Sequence, residues 1–253
     1  NTYTVLYTIY QDGIMNVNLH FTPTSHKAAH TDISEDTHLA TYTPGKKKED
    51  PDRLEVPRIG VRFRVPMKMN RVKYYGRGPG ENYIDRNAGS MIGLYDTTVE
   101  TMYVNYVRPQ ENGHRTDTRW LMLSDSRDSG FMIKADSTVG FNALRNAVED
   151  FDSEETTNRP YQWRNYSAEE IRNHNEKEAR NVLRRMTHVN DIKARDFIEV
   201  CIDMKQQGVG GYDSWGAKVQ SGFTIPANCD YKWGFTFIPV NGKNASNYLK
   251  YKY

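Results

Sequence analysis

A chain of 253 residues with 37% hydrophobic content can bury a sizeable core as one large domain or two small ones, which excludes disorder as its overall state. Its 34 basic and 32 acidic residues leave a formal net charge of +2, without the basic excess of a nucleic-acid binder, and no run of about 18 apolar residues offers a membrane span. The two cysteines, Cys201 and Cys229, show neither metal-site nor disulfide-framework spacing and are read as free thiols.

The predicted elements begin at once. "NTYTVLYTIY" already reads as strand, as expected of a piece of a longer polypeptide whose leader, if it had one, lies in the missing part. Asp12-Gly13 predicts a two-residue hairpin turn, after which Met15, Val17, Leu19 and Phe21 alternate with polar residues. The stretch from Thr24 to Pro57 is polar and rich in turn formers, and is expected to be a long inserted loop. In "RIGVRFRVP", Ile59, Val61, Phe63 and Val65 oppose a row of arginines, Arg58, Arg62 and Arg64. Further strands are predicted in "NRVKYYG", "TMYVNYV", "RWLMLSD", "GFMIKAD", "FIEVCIDM" and "KWGFTFIPV". About ten strands with turns between them argue for a single all-β domain, a large and mostly antiparallel sandwich. One short surface helix is expected over 167–186, where Ser167 and Glu170 form a capping box.

Few residues suggest chemistry of their own. His26 and His30 have the spacing of paired metal ligands on a helix, but no glutamate follows His26 and a solvated loop is the stronger reading. The acids from Glu149 to Glu155 read as a solvated charge run. Asn165 and Asn244 open glycosylation-acceptor triplets, a pattern short enough to arise by chance. No phosphate loop, nucleophile elbow or dinucleotide fingerprint is present.

Three loops are harder to dismiss. "YYGRGPGENYIDR" places Gly76, Gly78 and Gly80 around Pro79, predicting an irregular backbone beside Glu81, Asn82, Tyr83, Asp85 and Arg86. "YVRPQENGHRTDTRW" sets Arg108, Glu111, Asn112 and Arg115 at the mouth of a strand. These loops either satisfy one another through ion pairs and capped turns or touch a ligand directly. In "GVGGYDSWG", Gly208, Gly210 and Gly211 are expected to take positive φ and Asp213 to bond its own turn. Trp215 would then be displayed rather than packed in a sheet, a flat apolar surface suited to the C–H face of a sugar.

"RIGVRFRVP" and these three stretches occur in this order, and at about this spacing, in the C-terminal domain of the large β-galactosidases of glycoside hydrolase family 2, which the chain resembles from about Tyr3 to Val240. The resemblance implies a galactose-mutarotase-like β-supersandwich of which this chain is the later part. It also implies that Trp215 projects into a substrate site on a neighbouring (β/α)₈ barrel; the loops themselves, not the resemblance, make Asp213, Arg108, Glu111 and Asn112 further substrate-binding candidates. The two glutamates of a retaining double displacement would lie on that barrel. No catalytic residue and no cofactor is therefore expected in this chain, with magnesium and sodium bound elsewhere in the parent. The implied partner is a β-galactoside, met through the barrel of a homo-oligomeric bacterial enzyme of the cytoplasm or periplasm. Tyr212 departs from the family, which commonly has an aspartate there, and the loop from Thr24 to Pro57 is longer than usual. A free-standing carbohydrate-binding module and a structural oligomer-interface domain are the alternatives.

Overall fold

The structure is a computed structural model and describes residues 1–24, 55–107, 109–151, 189, 192–210, 217 and 219–243. Most of the expected inserted loop, the helix expected over 167–186, His26, His30, Asn165 and Asn244 lie outside the described residues, as do Arg108, Asp213 and Trp215.

In chain order the strands are β1 (Thr2–Ile9), β2 (Met15–Thr22), β3 (Arg58–Pro66), β4 (Arg71–Gly78) and β5 (Met91–Thr98), followed by a single helical turn, α1 (Val99–Met102). Then come β6 (Arg115–Ser124), β7 (Gly130–Leu144), β8 (Phe197–Gln206) and β9 (Tyr231–Val240). They pair in the order β1-β2-β9-β7-β6-β4-β5, with β8 joined to β7 and β3 to β8, and every pairing is antiparallel. The result is the all-β sandwich that the strand count implies.

The architecture turns on β7. Its first part, Gly130 to Ala135, pairs with β9, and its last, Gly140 to Leu144, pairs with β8. Between them Asp136, Ser137 and Thr138 are exposed, so the sheet forks there. One face of β7 sends Phe131 and Ile133 into the main core with Leu121, Leu123, Val200 and Ile202. Its opposite face buries Met132 with Trp120, Met122, Ile238 and Val240. A strand covered on both faces reads as a near-continuous apolar run, as "GFMI" does. Phe131 lies 4.7 Å from Phe237 in a stacked pair and 5.8 Å from Phe63 on β3. This contact ties β3 to the main sheet, and burying the Phe131 ring contributes about 1.5–3 kcal/mol.

Four features depart from the sequence reading, three as corrections and one as an unforeseen strand. "TMYVNYV" is not a strand: Val99 and Met102, three apart, are both buried on α1, and Thr101 Oγ1 closes the turn by donating to the Thr98 carbonyl at 2.9 Å. The spacing of the buried pair is helical, not two-residue. Second, β5 is a strand with no alternating apolar stripe to announce it; at the sheet edge it exposes Met91, Ile92 and Leu94. Third, the first hairpin spans five residues, since Ile9 faces Met15, and Gly13 N–H bonds the Tyr10 carbonyl while Tyr10 N–H bonds that of Ile14. Fourth, Gly76 and Gly78 belong to regular β4 and not to a loop. A Cβ on Gly76 would stand 2.6 Å from Thr118 Oγ1 and 2.9 Å from its Cα, so glycine serves close strand approach there.

Candidate functional site

The loop after β4 and the loop before β6 lock into one body. Glu81 is the link: its carboxylate accepts from Arg86 Nη2 at 2.5 Å, from the Tyr106 hydroxyl and from Gly113 N–H at 2.8 Å. Asn82 is wholly buried, donating to the carbonyls of Arg77 and Gly80 and accepting from Thr116 N–H at 3.0 Å. Arg115, also buried, donates to the carbonyls of Gly113 at 2.7 Å and Pro79 at 3.0 Å. Paired loop carboxylates and guanidiniums of this kind are short and strong. Among the described residues, the side chains of these loops satisfy one another.

Glu111 and Asn112 take part in this lock. Glu111, with its side chain 26% exposed, accepts from Arg58 Nη2 at 3.1 Å and Asn142 Nδ2 at 3.3 Å. Asn112 is 1% exposed; its Oδ1 accepts from Val104 N–H at 3.3 Å and its Nδ2 donates to the Gln110 carbonyl at 3.0 Å.

Beneath the loops lies a charged cluster that the sequence patterns did not single out. Asp203 on β8 is 0% exposed; Arg58 Nε stands 3.1 Å from its Oδ1, an ion pair without hydrogen-bond alignment, and His114 Nδ1 stands 3.8 Å from its Oδ2. Arg58 also donates to Gln206 Oε1 at 2.7 Å. Burial outweighs the attraction of Arg58 and pushes the Asp203 carboxyl up to about 7, with Glu111 adding repulsion. Burial, reinforced by Arg58 and Arg115, holds the His114 imidazole well below its ordinary value, and its ring stacks on Tyr83 at 5.5 Å. Cys201 is a buried free thiol pushed up to about 12 chiefly by desolvation, which keeps it protonated and unreactive. Of the acid run expected to be solvated, Asp150 alone is corrected: it is buried, accepting from Arg195 Nε and Ala147 N–H, each at 2.9 Å, while Asp152, Glu154 and Glu155 lie outside the described residues.

The third loop leaves β8 directly over this body. Gln207 N–H bonds the Pro57 carbonyl and Gly208 N–H bonds that of Phe223, both at 2.9 Å. Gly210 N–H reaches Asp85 Oδ2 at 2.7 Å. Neither Gly208 nor Gly210 takes positive φ, contrary to expectation. Their missing side chains matter for another reason, since a Cβ on Gly208 would lie 2.5 Å from Asp85 Cγ. All three sequence-singled stretches thus converge where the chain departs toward Asp213 and Trp215.

The family model described as "Beta galactosidase small chain" matches residues 1–237, a span that includes all three convergent stretches. The chain belongs to the β-galactosidase small-chain family. The β-galactosidase of Priestia megaterium (strain DSM 319 / IMG 1521) is 33% identical over 186 residues, covering 74% of this chain and 15% of that protein. That of Streptococcus thermophilus is 30% identical over 186 residues, covering 73% and 15%. A third relative, from Arthrobacter sp. (strain B7), is 35% identical over 102 residues, or 38% of this chain and 10% of its own. The small-chain region matched in the first two relatives is therefore about 15% of their length.

A cleft of about 750 Å³ opens at the fork of β7, lined by Asn18, His20, Asp136, Thr138, Lys232 and Trp233 among others. His20 Nε2 is held 3.2 Å from Asp230 Oδ1.

Proposed function

We propose that this chain is the accessory sandwich of a β-galactosidase and completes a galactoside site with Trp215, while the catalytic carboxylates stand on another part of the parent polypeptide. The family match through residue 237, which takes in "GVGGYDSWG", is the observation that carries the reading. An indole offers its face to the C–H side of a pyranose, and Asp213 and Arg108 supply an acceptor and donors for hydroxyl groups. Glu111 and Asn112, committed to Arg58 and to the backbone, serve the same site by fixing the frame from which the loop departs. Hydrolysis with retention needs two carboxyl groups about 5–5.5 Å apart, one as nucleophile and one as acid and base, and the reading assigns neither to this chain. The chain alone is therefore expected to release no galactose from a β-galactoside.

The test is Trp215→Ala in the full-length parent enzyme. Loss of the aromatic contact is expected to lower kcat/KM by about 1–3 kcal/mol in transition-state terms. An unchanged kcat/KM would shift the chain to a purely structural role.

A second reading, a sugar-binding module that acts without a barrel, is favoured by one feature. The β7 cleft presents carboxylate, amide, ammonium and indole groups together, a mixture suited to hydroxyl-rich ligands. Calorimetric titration of the chain with galactose or lactose separates the two readings: saturable heat without the rest of the parent supports the module, and its absence leaves the accessory role.

A further inference from the structure

We infer that the cleft at the fork of β7 binds a neutral mono- or disaccharide, gripped by Asp136 and Asn18 where they converge over Gly234. The inference rests on the second reading above for the cleft itself and adds the groups that hold the ligand. None of the residues lining the cleft belongs to the three convergent loops. Asn18 on β2 stands opposite Gly234 on β9. On the other side of β9, Ala135 is the last residue of β7 to pair with it, so Asp136 is the first to enter the fork. The point that a Cβ on Gly234 would occupy is 2.5 Å from Asp136 Oδ2 and 3.0 Å from Asn18 Oδ1. Any larger residue would drive these two oxygens apart, and glycine lets them converge.

Both oxygens are open to a ligand. Among the described residues the side chains of Asp136, Asn18 and Lys232 have no hydrogen-bond or ion-pair partner, whereas His20 in the same cleft is held by Asp230 at 3.2 Å. The contrast with Glu81 and Glu111, whose carboxylates are taken up by neighbouring donors, is plain. The negative charge of Asp136 is offset by the positive charge of Lys232, so the cleft suits a neutral ligand better than an ion. Two acceptors side by side call for two hydroxyl donors, and the Lys232 ammonium and the Asn18 amide nitrogen return donors to hydroxyl or ring oxygens. Trp233 is half-buried, lies 5.7 Å from Phe235 and lines the cleft with the buried Leu19 and Val139, giving it an apolar wall. A ligand with a hydroxyl-bearing edge and a C–H face is a pyranose. The cleft, at about 750 Å³, falls within the about 300–1,000 Å³ of small-ligand sites. Its anchors stand on β2, β7 and β9, so regular strands fix their spacing before any ligand arrives.

The experiment is calorimetric titration of the full chain with lactose, methyl α-glucopyranoside and sorbitol, with backbone amide NMR shifts read alongside. Saturable binding of lactose or the glucoside is expected, with Kd about 1 mM, and none of sorbitol, which has hydroxyls but no ring face. The largest amide shifts should fall at Asn18, Asp136 and Gly234. Asp136→Ala should weaken binding about tenfold through loss of a charge-assisted bond, and Asn18→Ala should weaken it less because the amide is neutral. Both positions are exposed, so the melting temperature should not change. Asp136→Asn should recover part of the loss, and Trp215→Ala should leave binding as it was. Undiminished binding in Asp136→Ala and Asn18→Ala, equal binding of sorbitol, or a loss in Trp215→Ala would overturn the inference while leaving a ligand site elsewhere in the chain. Saturation by the glucoside alone would keep the inference and overturn the galactose or lactose binding of the second reading. No saturable heat from either sugar would overturn both.

Discussion

Arg58→Ala is expected to destabilise the chain by about 3–5 kcal/mol in urea or thermal unfolding, because it strands acids that no other described cation replaces. Arg58 stands within 3.1 Å of both Asp203 Oδ1 and Glu111 Oε1 and donates to Gln206 Oε1 at 2.7 Å. Asp203, at 0% exposure, has no water to fall back on. Removing Arg58 leaves Asp203 either to keep an uncompensated buried charge or to take up a proton, and takes the guanidinium donor from Glu111 and Gln206. Arg58→Lys should fall between, because an ammonium cannot reproduce a fork that donates to Glu111 and Gln206 while standing against Asp203. The deciding control is Arg58→Met combined with Asp203→Leu, which removes both charges and should recover most of the loss. A double variant as unstable as Arg58→Ala would show that Arg58 acts through packing rather than as the counter-charge of Asp203.

The same residues show what a single sequence makes legible. Strands with one clean apolar stripe, as in β2, β3 and β8, are legible because a face turned to the core writes itself as period two, even in β8, where the residues between are buried as well. Edge strand β5 was missed because it buries too little to need a stripe, and α1 because one helical turn is too short to show its own period. The motif loops were recognisable by their crowded glycines, carboxylates and guanidiniums, yet which group meets which was not. The cluster under them escaped because Arg58, Asp203 and His114 lie far apart in the chain. A signal was present all the same. The arginine row of β3 faces the carboxylates of β8 in antiparallel register, with Arg64 opposite Glu199, and Glu199 is buried between Arg62 at 3.5 Å and Arg64 at 3.2 Å. Charge alone sets the two strands in register, and that register brings Arg58 and Asp203 together.

The pH dependence of stability should be governed by two buried groups that oppose each other. Asp203 has a folded value of about 7 against 3.8 unfolded, so between those values the native state holds a proton that the unfolded chain has lost. Stability therefore falls as pH rises from about 4 through about 7, by about 4 kcal/mol in full. His114 is depressed well below 6.5, so below that value the unfolded chain takes up a proton that the native ring refuses. Stability from this group rises as pH climbs toward 6.5, by about 1.4 kcal/mol per unit at the limit. The two groups face each other at 3.8 Å, with Arg58 beside both and Arg115 and Glu111 completing the charged surroundings. Over the shared window their slopes largely cancel, and a flat wild-type profile would conceal both. Asp203→Asn should expose the rising slope of His114, and His114→Gln the falling slope of Asp203, when unfolding free energies are compared from pH 4 to 7. Slope rather than absolute stability is the readout, so packing losses from either substitution do not confuse it. If both variants run parallel to the wild type, neither group titrates differently on folding, and burial does not shift Asp203 and His114 as described above.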